Sequence, residues 1–170
     1  LKMKKKLLFT IFILFCLNVF SQDRILVGLG KTNNYIETYQ YVDFLEEYSL
    51  KDAYRLGPSA IKILKDGVST AIKWVNLNEI HQKNFTKEIC RFTATDKKTF
   101  DFYKKHIDQF ADEIVMTFYG YSDGTFKITI EENNGIGTFI TITETDMLSG
   151  FNDLLNGKSA NKEIDDIFKK

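Results

Sequence analysis

Three stretches of alternating apolar and polar residues between positions 113 and 143 constrain the fold of this chain more than any other feature. Short polar segments separate them, at 122–124 (Ser-Asp-Gly) and 133–135 (Asn-Asn-Gly). Asp-Gly and Asn-Gly between alternating segments are strong hairpin signals, because these residues tolerate the backbone angles of a tight turn. The sequence therefore predicts an antiparallel meander of three or four strands.

The pairing register follows from the need to bury one face of the meander. A three-residue loop that ends at Gly124 places Phe118 opposite Ile128, so that the apolar residues of both strands share a face. A two-residue loop would put them on opposite faces. The same loop length ending at Gly135 places Ile128 opposite Ile140. The open face of the meander would then carry Thr117, Tyr119, Tyr121, Thr125, Lys127, Thr129, Phe139, Thr141 and Thr143.

Helical spacing of apolar residues predicts two helices in the first half of the chain. Asn33 or Asn34 can cap a helix over 34–49, in which apolar residues recur every three or four positions. A second helix is expected to start at Pro58, because a first-turn proline loses no hydrogen bond there. Residues 69–80 fit its continuation, which we favour, or a strand. Residues 24–29 could form a short strand or a tethered arm.

A strand followed by a helix is expected in the middle of the chain. Residues 87–95 alternate, with Cys90 on the inward face. Thr95 or Asp96 can then cap a helix that runs to about Asp112. The apolar residues of this predicted helix recur at helical spacing on one side, at Phe100, Tyr103, Ile107 and Phe110.

One more helix is predicted after the meander. Thr143 and Asp146 match a Ser/Thr-x-x-acid cap, and Gly157 can end the helix. Residues 164–168 form a short amphipathic tail. Together these elements predict an α+β fold, in which helices pack on one face of a three- to four-stranded antiparallel meander.

Residues 1–21 have the pattern of a secretory signal peptide. Lysines at 4–6 precede the apolar run 7–20, whose 14 residues are too short to span a bilayer of about 30 Å as a helix. Phe15 before Cys16 disfavours lipidation. Cleavage after Ser21 would leave a single domain, 22–170, of 149 residues with net charge −4. We therefore expect export to the periplasm or outside the cell, without membrane insertion after cleavage and without nucleic-acid binding.

Phosphate-binding loops are not predicted. Residues 30–32 (Gly-Lys-Thr) and 157–159 (Gly-Lys-Ser) resemble the end of such a loop, which also needs a glycine five residues earlier. Ile25 and Asn152 stand at those positions.

Side chains for catalysis or metal binding are scattered along the sequence. Cys90 could act as a nucleophile with His81 or His106, but its expected inward position favours a buried thiol. Glu131 and Glu132 are adjacent on a strand, point to opposite faces and cannot share a proton. The sequence therefore predicts no catalytic residues, no metal site and no cofactor.

The open sheet face is the predicted recognition surface. Tyrosine and phenylalanine on such a face can anchor a protein or stack on a glycan. We expect the contacts at Tyr119, Tyr121, Lys127, Phe139 and Thr141. The predicted function is that of a small exported, non-enzymatic binding domain. The alternatives are a small secreted hydrolase whose carboxylates meet only in the fold, and a structural component of the cell envelope.

Overall fold

The computed structural model describes residues 24–30, 34–104, 110–133 and 138–158. These residues form a seven-stranded antiparallel sheet, in which the strands lie side by side in chain order. The strands are β1 (Arg24–Gly28), β2 (Asn34–Val42), β3 (Glu47–Leu56), β4 (Phe85–Asp96), β5 (Asp112–Gly120), β6 (Phe126–Glu132) and β7 (Thr138–Ile142). The α+β class is confirmed, whereas the described sheet has more strands than the three or four predicted.

Three α-helices accompany the described part of the sheet: α1 (Pro58–His81), α2 (Lys97–Tyr103) and α3 (Thr145–Leu155). The predicted start of α1 at Pro58 is confirmed, and 69–80 continue it as helix. The apolar stripes of α1 and α3 pack together with one face of the sheet and form the core. Fully buried members of this core include Leu64, Phe118, Ile128, Ile142, Leu148 and Phe151.

Gly67 lets α1 lie close to the sheet. A Cβ atom at this position would lie 2.6 Å from Cys90 Sγ and 3.3 Å from Met116 Sδ. Real carbon–sulfur contacts are not that short, so only a glycine fits without a shift of its neighbours. Cys90 is therefore packed between the helix and the sheet, on the inward face that the alternation of 87–95 predicts.

The β5–β6 hairpin has the predicted register. Phe118 lies opposite Ile128. The Tyr121 N–H donates to the Thr125 carbonyl at 3.0 Å, which closes a three-residue loop. Gly124 has φ +86°, the left-handed conformation that this loop requires.

The predicted β6–β7 register is wrong by two residues. Ile128 lies opposite Ile142 instead of Ile140. A shift of two positions keeps every side chain on its face, so burial alone does not choose between the two registers. The register also shifts between Ile130 and Glu131, where β7 has one extra residue, Phe139. The predicted loop closure at Gly135 lies outside the described residues.

The predicted helix over 34–49 is wrong, because these residues form β2, a single 3-10 turn at Asp43–Leu45 and the start of β3. Ile36 and Thr38 of β2 are buried, while the intervening Glu37 is only partly covered. This two-residue period fits the many tyrosine, threonine and isoleucine side chains, which favour strands. The tyrosine spacing of four that suggested a helix is equally compatible with one face of a strand.

Helix α2 is shorter than predicted. The Asp96 cap is confirmed, since its carboxylate accepts from the Thr99 N–H at 2.9 Å. The helix ends at Lys104, which has φ +58°, and Asp112 already belongs to β5. The expected stripe along the longer helix does not form, because Tyr103 and Phe110 are exposed. Ile107 lies outside the described residues.

Helix α3 begins one residue after the position that the sequence indicates. Its N-cap is Glu144 rather than Thr143. The C-terminal end at Gly157 is confirmed, with φ +73°. The Lys158 N–H donates to the Asp153 carbonyl at 2.9 Å, which closes the last turn of the helix.

Residues 1–21 and 164–168 lie outside the described part, so the predicted leader and tail stay predictions. No helix among the described residues is both long and apolar enough to cross a membrane.

The pairing between β3 and β4 is short. In the described chain it consists of three pairs, in which Tyr54, Arg55 and Leu56 face Asp96, Thr95 and Ala94. The first seven residues of β3 therefore extend past the end of β4, where the chain turns into α2. A gap opens there between β3 and β5.

Candidate binding cleft

The gap between β3 and β5 is an open cleft of about 440 Å³, which we call the carboxylate cleft. Its wall on the β3 side is formed by consecutive residues 50–54, and the other side by the start of α2 and the ends of β5 and β6. Its lining is Leu50, Lys51, Asp52, Ala53, Tyr54, Asp96, Lys97, Lys98, Asp112 and Glu132.

Strand register places two of these carboxylates on the core side of the sheet. Asp112 lies opposite the buried Ala94, and Glu132 lies opposite the buried Ile114. Residues directly opposite each other in a ladder point to the same face. The side chains of Asp112 and Glu132 therefore lie on the same face of the sheet as the core residues, at the end of the strands that borders the cleft.

Tyr54 connects the cleft to the core. Its hydroxyl donates a hydrogen bond to Glu132 Oε1 at 2.5 Å. The centre of its ring lies 4.5 Å from the centre of the Phe139 ring. Burial, followed by the hydrogen bond to Glu132, raises the pKa of Tyr54 far above its usual value. The phenol is therefore a fixed donor, and it orients one carboxylate oxygen.

The acids of the cleft differ in their surroundings. Burial, followed by the neighbouring charges of Glu132 and Asp96, raises the pKa of Asp112 above its ordinary value. For Asp96 burial acts in the same upward direction, but hydrogen bonds from Thr99 outweigh it and lower the pKa. Among the described residues the structure shows no hydrogen bond or ion pair for the Asp112 carboxylate. Asp112 is thus the acid of the cleft that could accept a donor from outside the chain.

The cleft has an acidic floor and a basic rim. Lys97 and Lys98 are exposed at the start of α2, and Lys97 pairs with Asp101. The floor can accept a cationic or hydroxyl-bearing group, and Asp112 can also hold a proton. Within the described ranges no group of three or more His, Cys, Asp or Glu side chains is placed to hold a metal ion.

The predicted recognition residues on the other side of the sheet are only partly brought together. Tyr119 lies directly opposite Lys127, whose ammonium is 4.4 Å from the centre of the ring. Thr141 is exposed on the same face, and Tyr121 is 39% exposed at the adjacent hairpin. The predicted exposure of Phe139 on this face is wrong, because its side chain is 4% exposed and belongs to the core. It is the extra residue of β7, so its alternation differs from that of a regular strand.

The thiol and histidine candidates do not form a site in the described chain. Burial, followed by the charges of Glu88 and Asp66, raises the pKa of the Cys90 thiol to about 11. Such a thiol is neutral and unreactive near pH 7. His81 is exposed at the end of α1, and His106 lies outside the described residues.

A second concavity, of about 600 Å³, lies between the end of α1, the β5–β6 loop and the start of α3. Its lining includes the acids Glu79, Asp123 and Glu144. Asp123 accepts hydrogen bonds from the side chain and backbone of Thr125, which lower its pKa, so this carboxylate is used by the turn itself.

Sequence reasoning missed the carboxylate cleft because its acids are far apart along the chain. The sequence neighbour of Glu132 is Glu131, which points to the other face of the strand. Its spatial neighbour is Asp112, twenty positions earlier. The available signal was register: both acids occupy positions where the alternation of β5 and β6 calls for an apolar residue.

No family model, no curated protein and no solved structure matches this chain.

Proposed function

We propose that this chain is an exported, non-enzymatic binding domain and that the carboxylate cleft receives a cationic side chain of a protein partner. The observation that carries the proposal is the Asp112 carboxylate, which lies beside Glu132 and Asp96 without a described partner. Burial, followed by the neighbouring charges of Glu132 and Asp96, raises the free energy of the ionised Asp112 carboxylate. An ammonium or guanidinium group from a partner would offset that cost and complete the hydrogen bonding.

The mixed charges of the cleft support a protein rather than a free ion. The acids lie on the floor, and Lys97 and Lys98 lie at the rim. A partner that presents arginine or lysine together with nearby acidic or carbonyl groups would complement both zones. Tyr54 is buried, and its contribution to the cleft is the hydrogen bond that orients Glu132.

The test uses a pair of matched peptides. The chain, purified after export, is titrated with tetra-arginine and with tetra-citrulline, which has the same shape and no charge. We expect tetra-arginine to bind with an affinity that falls as salt is added, and tetra-citrulline not to bind. Asp112→Asn should weaken tetra-arginine binding by about ten- to a hundredfold, since a charge-assisted hydrogen bond contributes about 1.5–3 kcal/mol.

The matched control is Asp146→Asn, which removes an exposed acid on α3 and should leave binding unchanged. Equal binding of the two peptides, or full binding by Asp112→Asn, would refute the proposal. Loss of binding in Tyr119→Ala with Tyr121→Ala, but not in Asp112→Asn, would place recognition on the outer sheet face instead.

A carboxylate-based hydrolase is the second candidate function, and the raised pKa of Asp112 favours it. An acid whose pKa is raised by burial, and then by Glu132 and Asp96, can serve as a general acid, and Glu132, whose Oε1 accepts from the Tyr54 hydroxyl, would be the second carboxylate of the pair. Chromogenic glycosides would show turnover, and both Asp112→Asn and Glu132→Gln should abolish it. Turnover that survives either substitution would count against this mechanism.

A further inference from the structure

The β2–β3 hairpin projects from the sheet as a two-stranded ribbon. The pairing of β1 with β2 stops at Tyr39, and β4 meets β3 only from Tyr54 onward. Between these limits, β2 and β3 pair with each other in the described chain. The edge-to-face contact of Tyr41 with Tyr48, at 5.1 Å, stiffens the ribbon.

An apolar knob lies at the tip of this ribbon. Phe44 is 85% exposed, and Leu45 beside it is also exposed. Glu46 follows with φ +53°, a conformation that is strained for a residue with a side chain. Glu46 and Glu47 are exposed next to the knob and give it an acidic surround.

A second apolar surface, the aromatic patch, lies at α2. Phe102 is 79% exposed, and Tyr103 and Phe110 are exposed beside it. The centre of the Tyr103 ring lies 4.8 Å from the centre of the Phe102 ring and 5.2 Å from the centre of the Phe110 ring. The exposed residues Lys98 and Lys104, on α2 and at its end, give this patch a basic surround.

The knob and the patch are at the same end of the molecule. The base of the ribbon, at Leu50, and the start of α2, at Lys98, line the same cleft. Two copies related by a two-fold axis at this end can therefore exchange contacts, with each knob on the other patch. The acidic surround of one meets the basic surround of the other, so the surface is complementary to itself.

We propose that the chain forms a two-fold homodimer in which the Phe44 knob of each copy packs on the Phe102–Tyr103–Phe110 patch of the other. Exposed aromatic side chains surrounded by charged residues are typical of protein interfaces, in which a few such aromatic anchors contribute most of the binding energy. The closed two-fold arrangement also prevents open-ended association of the exposed aromatic residues.

Sedimentation equilibrium of the purified chain tests this proposal. We expect twice the monomer mass at micromolar concentrations and dissociation as salt is raised. Phe44→Ser should weaken association by about tenfold or more, with an unchanged far-ultraviolet circular dichroism spectrum. Ile80→Ser is the matched control, because Ile80 is 74% exposed at the far end of α1 and should not affect the dimer.

Charge reversal gives a second, independent readout. Lys98→Glu with Lys104→Glu should dissociate the dimer, and addition of Glu46→Lys with Glu47→Lys should restore it. A monomer at every concentration would overturn the proposal. So would a dimer that is unaffected by Phe44→Ser, one that is lost equally in Ile80→Ser, or a failure of the fourfold variant to reassociate.

Discussion

Replacement of Phe139 by alanine tests whether this side chain lies in the core of the protein. The ring is buried in the core and lies 4.5 Å from Tyr54, at an interplanar angle of 32°. Removal of a buried phenylalanine ring costs about 3–5 kcal/mol, because hydrophobic transfer is lost and a cavity remains. We therefore expect Phe139→Ala to lower the free energy of unfolding by about 4 kcal/mol.

Urea unfolding, followed by circular dichroism, measures this loss. With a slope of about 2 kcal/mol per molar urea for a domain of this size, the midpoint should fall by about 2 M. Phe139→Leu should cost only about 1–1.5 kcal/mol, since the volume is largely kept. Tyr121→Ala, at an exposed site, should change stability by less than about 0.5 kcal/mol.

The comparison between these variants can refute the reasoning. A midpoint shift below about 0.5 M for Phe139→Ala would mean that the ring is exposed, as a regular β7 alternation predicts. A double-mutant cycle of Phe139→Leu with Tyr54→Leu should give a coupling of about 0.5–1.5 kcal/mol for the aromatic pair. Zero coupling would contradict the ring contact.

Three further predictions concern the core thiol and the cleft acid. Gly67→Ala should destabilise the fold by about 1–2 kcal/mol despite the better helix propensity of alanine, because the added methyl group overlaps Cys90 Sγ. Cys90→Ala should relieve this cost. An equal effect of Gly67→Ala on the native chain and on the Cys90→Ala variant would disprove the overlap. The Cys90 thiol, with its pKa raised to about 11, should resist alkylation by iodoacetamide at pH 8 in the native state and react rapidly in urea; fast native labelling would contradict its burial. Asp112→Asn should stabilise the fold at pH 7. Burial, and then Glu132 and Asp96, raise the folded-state pKa of Asp112, so its ionised form is less favourable in the folded state than in the unfolded chain, and asparagine removes that cost. This gain should vanish below about pH 4, where the unfolded aspartate is protonated too; a thermal melt that shows Asp112→Asn less stable at pH 7 would refute it.

The parts of the fold that sequence predicted correctly are those in which two local rules agree. At β5–β6, loop length and burial of one face both demand that Phe118 meet Ile128. At α1, Pro58 and the apolar stripe from Ile61 to Val75 point to the same helix, although the interruption at Gly67 leaves a strand open for 69–80. Agreement between turn chemistry and apolar period leaves one solution.

The incorrect predictions arise where a local pattern is compatible with two structures. The spacing of Tyr35 and Tyr39 fits a helix as well as one face of a strand, and pairing with β1 and β3 decides for the strand. For β7, registers that differ by two residues bury the same face, so Ile142 rather than Ile140 opposite Ile128 could not be deduced. The extra residue Phe139 is a consequence of that pairing.

The carboxylate cleft could not be assembled from sequence, because proximity there depends on the order of seven strands. Asp52, Asp96 and Glu132 come from three different strands, and none has a motif around it. Their meeting requires the short β3–β4 pairing, which in turn depends on where the chain leaves β4 for α2. The proximity of Tyr119 to Lys127 could be predicted from sequence, because both residues belong to a single hairpin.

The three-pair ladder between β3 and β4 also affects how the molecule opens. Strands β1–β3 are built from the consecutive segment 24–56, and in the described sheet these three pairs are the only backbone pairing that joins them to β4–β7. Local opening in proteins follows such weak boundaries, so β1–β3 can separate while α1, α3 and the other strands keep most of the core. One wall of the carboxylate cleft belongs to β3, and the opposite wall to β5 and β6. A ligand that contacts both walls would therefore bind only the closed sheet and would slow the exchange of amide hydrogens throughout β1–β3.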